Sequence, residues 1–239
     1  MTAEENGMKQ HRSITTLYAA ICISAAVFVA AATPAGALPS YSGSLSSSSV
    51  PAGVTGTGFW ITGGTTQIQW AVSQLADLSW SYSYILTVPD GNISHLILEL
   101  SPSAVLGDLS NLSGTFSNPV VNTFTPSDQS NPNLPGNIYG VKFQNVGTTS
   151  GTFSFTTARA PVWGNFYAAD GQAHNPGTTN TAWNSGFLLA HPTDPPSNGS
   201  VTNHLLVPDS KTAIPDASTI VLACFGALPL FAKRMRVFR

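Results

Sequence analysis

Charged residues are scarce in this sequence. Asp, Glu, Lys and Arg together make up 8% of its 239 residues, whereas an average soluble domain has roughly 25%. Ser, Thr, Asn, Gly and Pro take their place, and this mixture favours turns and strands over long helices. Aromatic residues still make up 10% of the chain, so the composition is not that of a highly charged disordered protein.

Basic residues are almost absent from the middle of the chain. Between Leu38 and Ile214 only Lys142, Arg159 and Lys211 are basic, against eight acidic residues, so this body has a formal charge of −5. Binding to a nucleic-acid backbone depends on several Lys or Arg side chains that neutralise phosphates. The charge balance therefore argues against nucleic acid as a partner.

Cysteine is nearly absent as well. Cys22 and Cys224 both lie in apolar runs near the ends of the chain, so the body between them contains none. Disulfides, zinc sites built on thiolates and a cysteine nucleophile are thereby excluded from the body. A domain of this size does not need disulfides, because it can bury a large enough core.

The first 37 residues have the three parts of a cleavable signal peptide. Basic residues at 9–12 are followed by an apolar stretch, Leu17–Ala32, and then by small residues at Ala35 and Ala37. This pattern predicts cleavage after Ala37 and a mature chain that begins at Leu38. An uncleaved membrane anchor is the alternative, since the apolar run is close to the shortest length that spans a bilayer.

Residues 210–239 contain a second pattern of three parts. A short motif is followed by the apolar run Ile220–Ala232 and then by a basic cluster. The residues of the motif and the cluster are Pro215, Asp216, Ser218, Thr219, Lys233, Arg234 and Arg236. This order predicts a transmembrane helix whose basic end stays in the cytoplasm, so that the body faces outward. A plain anchor that is never processed would have the same topology and remains an alternative.

This second pattern resembles the PEP-CTERM family of bacterial sorting signals. The typical motif of that family reads Val-Pro-Glu-Pro-Ser-Thr. Pro215, Ser218 and Thr219 match it, whereas Asp216 and Ala217 depart from it and make it more similar to variants that begin Val-Pro-Asp. The resemblance implies a bacterium that makes exopolysaccharide and an exosortase-type enzyme that acts near Pro215 and Asp216. It also implies a precursor anchored in the inner membrane, followed by display at the cell surface or release outside the cell.

The body alternates apolar and polar residues over many short segments, which is the pattern of half-buried strands. The clearest segment, Trp80–Val88, is followed by the turn residues Pro89–Asn92 and by a second segment, Ile93–Leu100, so a β-hairpin is predicted here. Asn118-Pro119 and Asp170-Gly171 are interpreted as turns. Further strands are predicted at Gln67–Val72, Val120–Phe124, Ile138–Gln144, Thr152–Thr157, Val162–Tyr167, Ser185–Leu189 and His204–Val207.

These strands predict an all-β fold over residues 55–209, an antiparallel β-sandwich that is jelly-roll-like. The Ser- and Gly-rich segment 38–54 before it is interpreted as a flexible leader or as an irregular first strand. With the terminal segments added, the chain is expected to have an N-terminal signal helix, one β domain and a C-terminal transmembrane helix.

No constellation of catalytic residues is recognisable in the body. It has no Gly-x-Ser-x-Gly motif, which would mark a serine nucleophile. Metal-ligand spacing is also missing among its histidines, which are His95, His174, His191 and His204. We therefore expect a surface or extracellular-matrix protein that is not an enzyme and holds no cofactor or metal.

Two other functions are kept as alternatives. Trp163, Tyr167 and Trp183 flank polar loops and could stack on sugar rings, which would make the domain a carbohydrate-binding module with exopolysaccharide as a partner. Packing of these rings in the core is the competing interpretation. The second alternative, a glycoside hydrolase, would need two carboxyl groups about 5–10 Å apart in one cleft.

The isolated cations of the β domain are expected to have structural partners. Lys142 and Arg159 would pair with Glu99 or Asp170, because a partly buried ion pair is a commoner role for such a charge than binding a ligand.

The first seven residues are unusual for a signal peptide because they include Glu4 and Glu5, whereas Met8 is followed directly by basic residues. We therefore expect Met8 to be the true initiator. Peptide mapping of the uncleaved precursor by mass spectrometry would then find a first peptide that starts at Met8. A peptide that contains residues 1–7 would contradict this expectation.

Overall fold

The computed structural model describes residues 37–144, 147–175 and 178–209, without the side chains of residues 172–178. The signal peptide up to Gly36 and the sorting segment 210–239 lie outside these residues, so both terminal helices stay predictions. Among the helices of the described part, none combines the length and the apolar character that a membrane crossing requires.

The described residues form two antiparallel sheets and one smaller pair of strands. The order is β1-β3-β4-β9-β6 in the five-stranded sheet, β2-β12-β11-β5-β8-β7 in the six-stranded sheet, and β10-β13 in the pair. One α-helical turn, α1, covers Phe59–Thr62, and a 3₁₀ turn covers Leu106–Asp108. The strands are β1 Ser40–Ser46, β2 Val54–Thr57, β3 Gln67–Gln74, β4 Trp80–Thr87, β5 Ile93–Glu99, β6 Ser110–Gly114, β7 Ser117–Phe124, β8 Ile138–Gln144, β9 Ser150–Thr157, β10 Pro161–Gly164, β11 Phe166–Asn175, β12 Thr178–Asn184 and β13 Leu205–Pro208.

Aromatic side chains fill the space between the two sheets. Alternate residues of β4, including Tyr82 and Tyr84, point inward and are fully buried. Tyr84 stacks on Phe153 of the same sheet at 4.7 Å between ring centroids. Phe153 also contacts Phe143 of the other sheet at 4.7 Å. The predicted all-β fold with two packed antiparallel sheets is therefore confirmed.

The predicted β-hairpin at Trp80–Leu100 is wrong. β4 pairs with β3 and β9, whereas β5 pairs with β11 and β8 in the other sheet. The turn at Pro89–Asn92 therefore leads the chain from one sheet to the other, with Gly91 at a φ of 78°. The turn residues and the alternation of the two strands are the same for a hairpin and for such a crossing. Only the choice of partner strands separates the two arrangements.

The Ser- and Gly-rich segment 38–54 is part of the sandwich and not a leader in front of it. Its strand β1 pairs with β3 along its whole length. Gly43 lies opposite Trp70, where an added Cβ would be 2.3 Å from the indole ring. Because Leu45 is the only buried residue of β1, this strand lacks the apolar alternation by which strands are recognised in a sequence.

Two dipeptides that were interpreted as turns lie inside strands. Asn118-Pro119 belongs to β7 and Asp170-Gly171 to β11, and each coincides with a register shift against the neighbouring strand. Residues that favour turns also favour β-bulges, because both require local departures from the regular ladder. The same local signal therefore has two structural outcomes.

Two other strand predictions need correction. The predicted strand Val162–Tyr167 is divided at Asn165 into β10 and β11, which pair with different partners. Ser185–Leu189 is a turn, and the strand in this region is β12, just before it. Each correction concerns a boundary that depends on pairing with a distant strand.

Arg159 makes the predicted buried ion pair, but with a different partner. Its Nη2 lies 2.7 Å from Oδ2 of Asp108, and the side chain of Arg159 is 1% exposed. Nη1 donates to the carbonyl oxygen of Asp209 at 2.7 Å, and Nη2 also donates to the carbonyl oxygen of Ser103 at 2.9 Å. One guanidinium thus joins three separate segments at one end of the sandwich.

We expect the Arg159→Met variant to lose about 3–5 kcal/mol of unfolding free energy, because buried acceptors lose their donor. Arg159→Lys, which keeps the charge but not the planar fork, should lose less. Urea unfolding followed by tryptophan fluorescence measures both. A loss below about 1 kcal/mol for Arg159→Met would show that the guanidinium network contributes little.

Candidate functional site

The outer face of the six-stranded sheet is partly covered by the loop of residues 125–137. Beneath this loop lies a second apolar cluster, separate from the main core. Its buried members are Ile97, Phe124, Leu134, Ile138, Tyr167, Ala169 and Phe187. The cluster keeps most of this sheet face away from solvent, and the site described below lies at its edge.

The aromatic side chains that were considered for sugar stacking are mostly buried. Tyr167 is 0% exposed and Trp163 is 2% exposed. Tyr167 donates its hydroxyl to the carbonyl oxygen of Pro132, and Trp163 Nε1 donates to the carbonyl oxygen of Asp194 at 3.0 Å. Trp183 is partly buried against the second cluster. These three rings therefore do not form a binding platform, and their pattern in the sequence indicates core packing.

A polar groove of about 410 Å³ opens beside the covering loop. Residues of β5, β8, β11 and β12 line it, next to the second cluster. Among the described residues of its lining, His95 has the only aromatic ring. The lining residues are Ser94, His95, Gln129, Ser130, Pro132, Lys142, Gln144, Asp170, Gly171 and Thr179.

Lys142 lies at the inner end of the groove and is 9% exposed. Its Nζ donates to Oδ1 of Asn131 at 2.8 Å and to Oγ of Ser130 at 3.3 Å. The ammonium group is 5.7 Å from the centre of the Phe124 ring. Desolvation lowers the pKa of Lys142, and the negative charge of Asp128 partly offsets this effect. The ammonium is thus anchored by neutral oxygens, in contrast to the predicted ion pair with Glu99 or Asp170.

His95 lies next to Lys142 and is 5% exposed. Its ring contacts that of Tyr167 at 5.8 Å between centroids. Among the residues that the structure describes, no hydrogen bond of normal geometry reaches its Nε2. Burial lowers the pKa of His95 to about 3, and the positive charge of Lys142 acts in the same direction. His95 is therefore neutral at physiological pH.

The opposite end of the groove is formed by β11 and β12. Asp170 is 3% exposed and lies at the register shift of β11. Its Oδ2 is 3.4 Å from Nδ2 of Asn180, and this is not its sole interaction. The groove thus has a cation at one end and a carboxylate at the other, with hydroxyl and amide side chains between them.

A second cleft, of about 320 Å³, lies beside β10 and β13. Its wall includes Glu99, whose Oε2 accepts a hydrogen bond from the backbone N of Asn165 at 2.7 Å and lies 3.3 Å from Nε2 of His191. Asp209 also lines this cleft and accepts a hydrogen bond from Oγ of Ser101 at 2.6 Å. Glu99 and Asp209 are thus two carboxyl groups that line one cleft, and Asp77 and Asp108 line another.

The amide of Asn165 is oriented by its neighbour Asn184. Asn184 accepts a hydrogen bond from the backbone N of Phe166 at 3.0 Å and donates to Oδ1 of Asn165 at 2.8 Å. Nδ2 of Asn165 therefore faces Nε2 of His191, at 2.9 Å. Neutral His191 accepts this hydrogen bond, whereas protonated His191 donates to Glu99, which raises the pKa of His191.

Metal binding finds no support in the part of the chain described above, where no three His, Cys, Asp or Glu side chains converge in a way that could hold an ion. His191 is engaged with Asn165 and Glu99. The side chain of His174, the other histidine near a predicted turn, lies outside the described residues.

His95 and Lys142 were not recognised as site residues in the sequence, although a signal was present. Both lie in the middle of strands whose residues are buried on both faces, where an ionisable side chain is unusual. Their proximity arises because β5 and β8 pair, with His95 opposite Gln144 and Lys142 opposite Ile97, and no local pattern in the sequence specifies that register.

Comparison of the chain with protein-family models, with curated proteins and with solved structures gave no match. Its function therefore has to be inferred from its own residues and geometry.

The low pKa of His95 makes a testable contribution to stability. Between about pH 6.5 and pH 3 the unfolded state binds a proton that the folded state excludes, so unfolding free energy falls as pH falls. From pH 7 to pH 5 we expect the native protein to lose about 2 kcal/mol more than His95→Gln. Urea unfolding at both pH values measures this difference.

His191→Gln is the matched control, because the raised pKa of His191 stabilises the fold at low pH and this contribution is lost as pH rises. Its difference from the native protein should therefore have the opposite sign. An identical pH dependence for His95→Gln and the native protein would contradict the buried neutral state of His95.

Proposed function

We propose that this chain is an exported surface or extracellular-matrix protein of a bacterium, with no catalytic activity of its own. The observation that carries this proposal is the tail: Pro215, Ser218 and Thr219, an apolar run, and then a basic cluster. An exosortase-type enzyme would recognise this tail during export. The precursor would be held in the inner membrane by its apolar run, and the β domain would then be displayed outside.

The limits of the folded body support this proposal. The first strand begins at Ser40, close after the predicted cleavage site at Ala37, and the last strand ends at Pro208, shortly before the motif at Pro215. The sandwich therefore fits between the two predicted signals, and removal of both would leave every described strand in place.

The amino-acid composition of the body is compatible with a location outside the cytoplasm. It has no cysteine that could be oxidised. Strand β6 is exposed along its whole length and contains mostly Ser, Asn and Gly. A jelly-roll-like topology belongs to this proposal as well, and repeated passage of the chain between the two sheets from β4 to β11 supports it.

Carbohydrate binding is the second candidate function, and the polar groove favours it. Hydroxyl, amide and charged side chains converge there around about 410 Å³ of space, within the usual size of ligand sites. This site replaces the aromatic platform expected from Trp163 and Tyr167.

A glycoside hydrolase is the less favoured candidate and would use Glu99 and Asp209 in the second cleft. Both carboxyl groups already accept hydrogen bonds from their own chain, and this engagement favours a structural role.

The sorting proposal predicts a shortened mature protein. In the native host, mass spectrometry of the mature chain should find a C-terminus near Pro215 instead of Arg239. The Pro215→Ala variant should accumulate as a precursor that retains its tail. Pro192→Ala, a matched change in a loop of the β domain, should be processed normally.

A mature chain that still ends at Arg239 would contradict the sorting proposal and leave a plain membrane anchor. Equal processing of both variants would instead exclude Pro215 from the recognition motif.

A further inference from the structure

We propose that the polar groove binds an acidic sugar residue, whose carboxylate pairs with Nζ of Lys142. This inference rests on the second candidate function, carbohydrate binding, and names the class of sugar that the groove would take.

The first argument compares the surroundings of the two cations in the described β domain. In the described ranges Lys142 and Arg159 are the only Lys or Arg residues. Arg159 is paired with Asp108 and closed off from solvent. Lys142 instead lines an open groove. It is therefore the cation of the described β domain that an anionic ligand can reach.

The second argument is the way in which Lys142 is held. Its hydrogen-bond acceptors, Asn131 and Ser130, are both neutral, and it has no part in the ion pairs of the described residues. The nearby carboxylate of Asp128 accepts hydrogen bonds from Ser130 and Asn131, so it acts on Lys142 only from a distance. A largely buried ammonium that lacks a close counter-charge is stabilised by an anion that enters the groove.

A purely structural role for Lys142 would be to anchor the covering loop to the sheet. That role requires only a donor for Oδ1 of Asn131, which a neutral amide can also supply. The positive charge is not needed for it, and desolvation of the charge opposes folding. The positive charge at this position is therefore explained better by a ligand.

The third argument selects a hydroxyl-bearing anion over a simple one. Asp170 also lines the groove, and an ionised carboxylate accepts hydrogen bonds from hydroxyl groups but offers no donor to a second anion. Ser94, Gln144 and Thr179 add hydroxyl and amide groups to the lining. A uronic acid has a carboxylate for the Lys142 end and hydroxyl groups for the rest of the groove.

The lining residues also explain why the groove would recognise a sugar by its charge and not by stacking on an aromatic ring. Apart from the imidazole of His95, the described wall of the groove contains no ring on which a sugar could stack. Neutral sugars depend strongly on such stacking. Neutral His95 avoids a second positive charge beside Lys142.

Binding of a galacturonic acid hexamer to the purified full chain tests this inference, with the methyl-esterified hexamer as the uncharged control. Isothermal titration calorimetry should give a dissociation constant at least about tenfold larger for the ester.

The Lys142→Gln variant, which keeps a donor for Asn131, should bind the acid about tenfold more weakly and should no longer distinguish it from the ester. Lys142→Arg should retain the preference for the acid. Gln69→Glu, on the exposed face of the other sheet, is the control for general charge repulsion and should bind normally.

The outcomes separate this inference from the proposals on which it rests. Equal binding of acid and ester, unchanged by Lys142→Gln, would overturn the acidic-sugar inference but support carbohydrate binding. Absence of binding to both hexamers, with the native chain shown to be folded by its unfolding curve, would overturn the inference and remove its support for the groove as a sugar site. Neither result bears on sorting, which the mature C-terminus decides independently.

Discussion

Contact between aromatic rings of the two sheets is the interaction on which the rest of the structure depends. Phe143 of the six-stranded sheet packs against Phe153 of the five-stranded sheet, and Phe153 in turn stacks on Tyr84. The body has no cysteine, so burial of apolar surface must hold the sheets together without a covalent link. The tyrosines of this core also direct their hydroxyl groups to backbone carbonyls: Tyr82 to Arg159 and Tyr84 to Leu206. The core therefore fixes both the separation of the sheets and the position of the segments that close the sandwich.

The two cations of the described β domain have different surroundings, because one is enclosed by packed segments and the other lies on an outer sheet face. Arg159 is enclosed at one end of the sandwich, where its five donors match several acceptors and leave no position for a ligand. Lys142 projects from the outer face of the six-stranded sheet, which the loop 125–137 covers incompletely. Because Lys142 and Arg159 are the only Lys or Arg residues of the described ranges, the ammonium group of Lys142 beside this groove gains significance as a partner for an anion.

The proposed export and the proposed binding site depend on different parts of the chain. The export proposal rests on patterns at the two ends of the chain, which are recognised by their hydropathy and by the distribution of their basic residues. Binding rests on the groove, which exists only because β5, β8, β11 and β12 are neighbours in one sheet. A protein displayed outside the cell and a groove suited to acidic sugars are compatible, and each proposal can fail without the other.

Sequence alone determined the fold class and the position of most strands, because alternation of apolar and polar residues is a local property. β8, for example, was predicted with the same bounds that the structure has, Ile138–Gln144. Tertiary structure decided the partners: the turn at Pro89–Asn92 leads to the other sheet, and Ser-rich β1 becomes a strand only because β3 offers it backbone groups and Trp70 packs over Gly43. It also decided that Trp163 and Tyr167 are buried and that His95 and Lys142 meet at a groove. These outcomes depend on contacts between residues far apart in the chain, which no local pattern specifies.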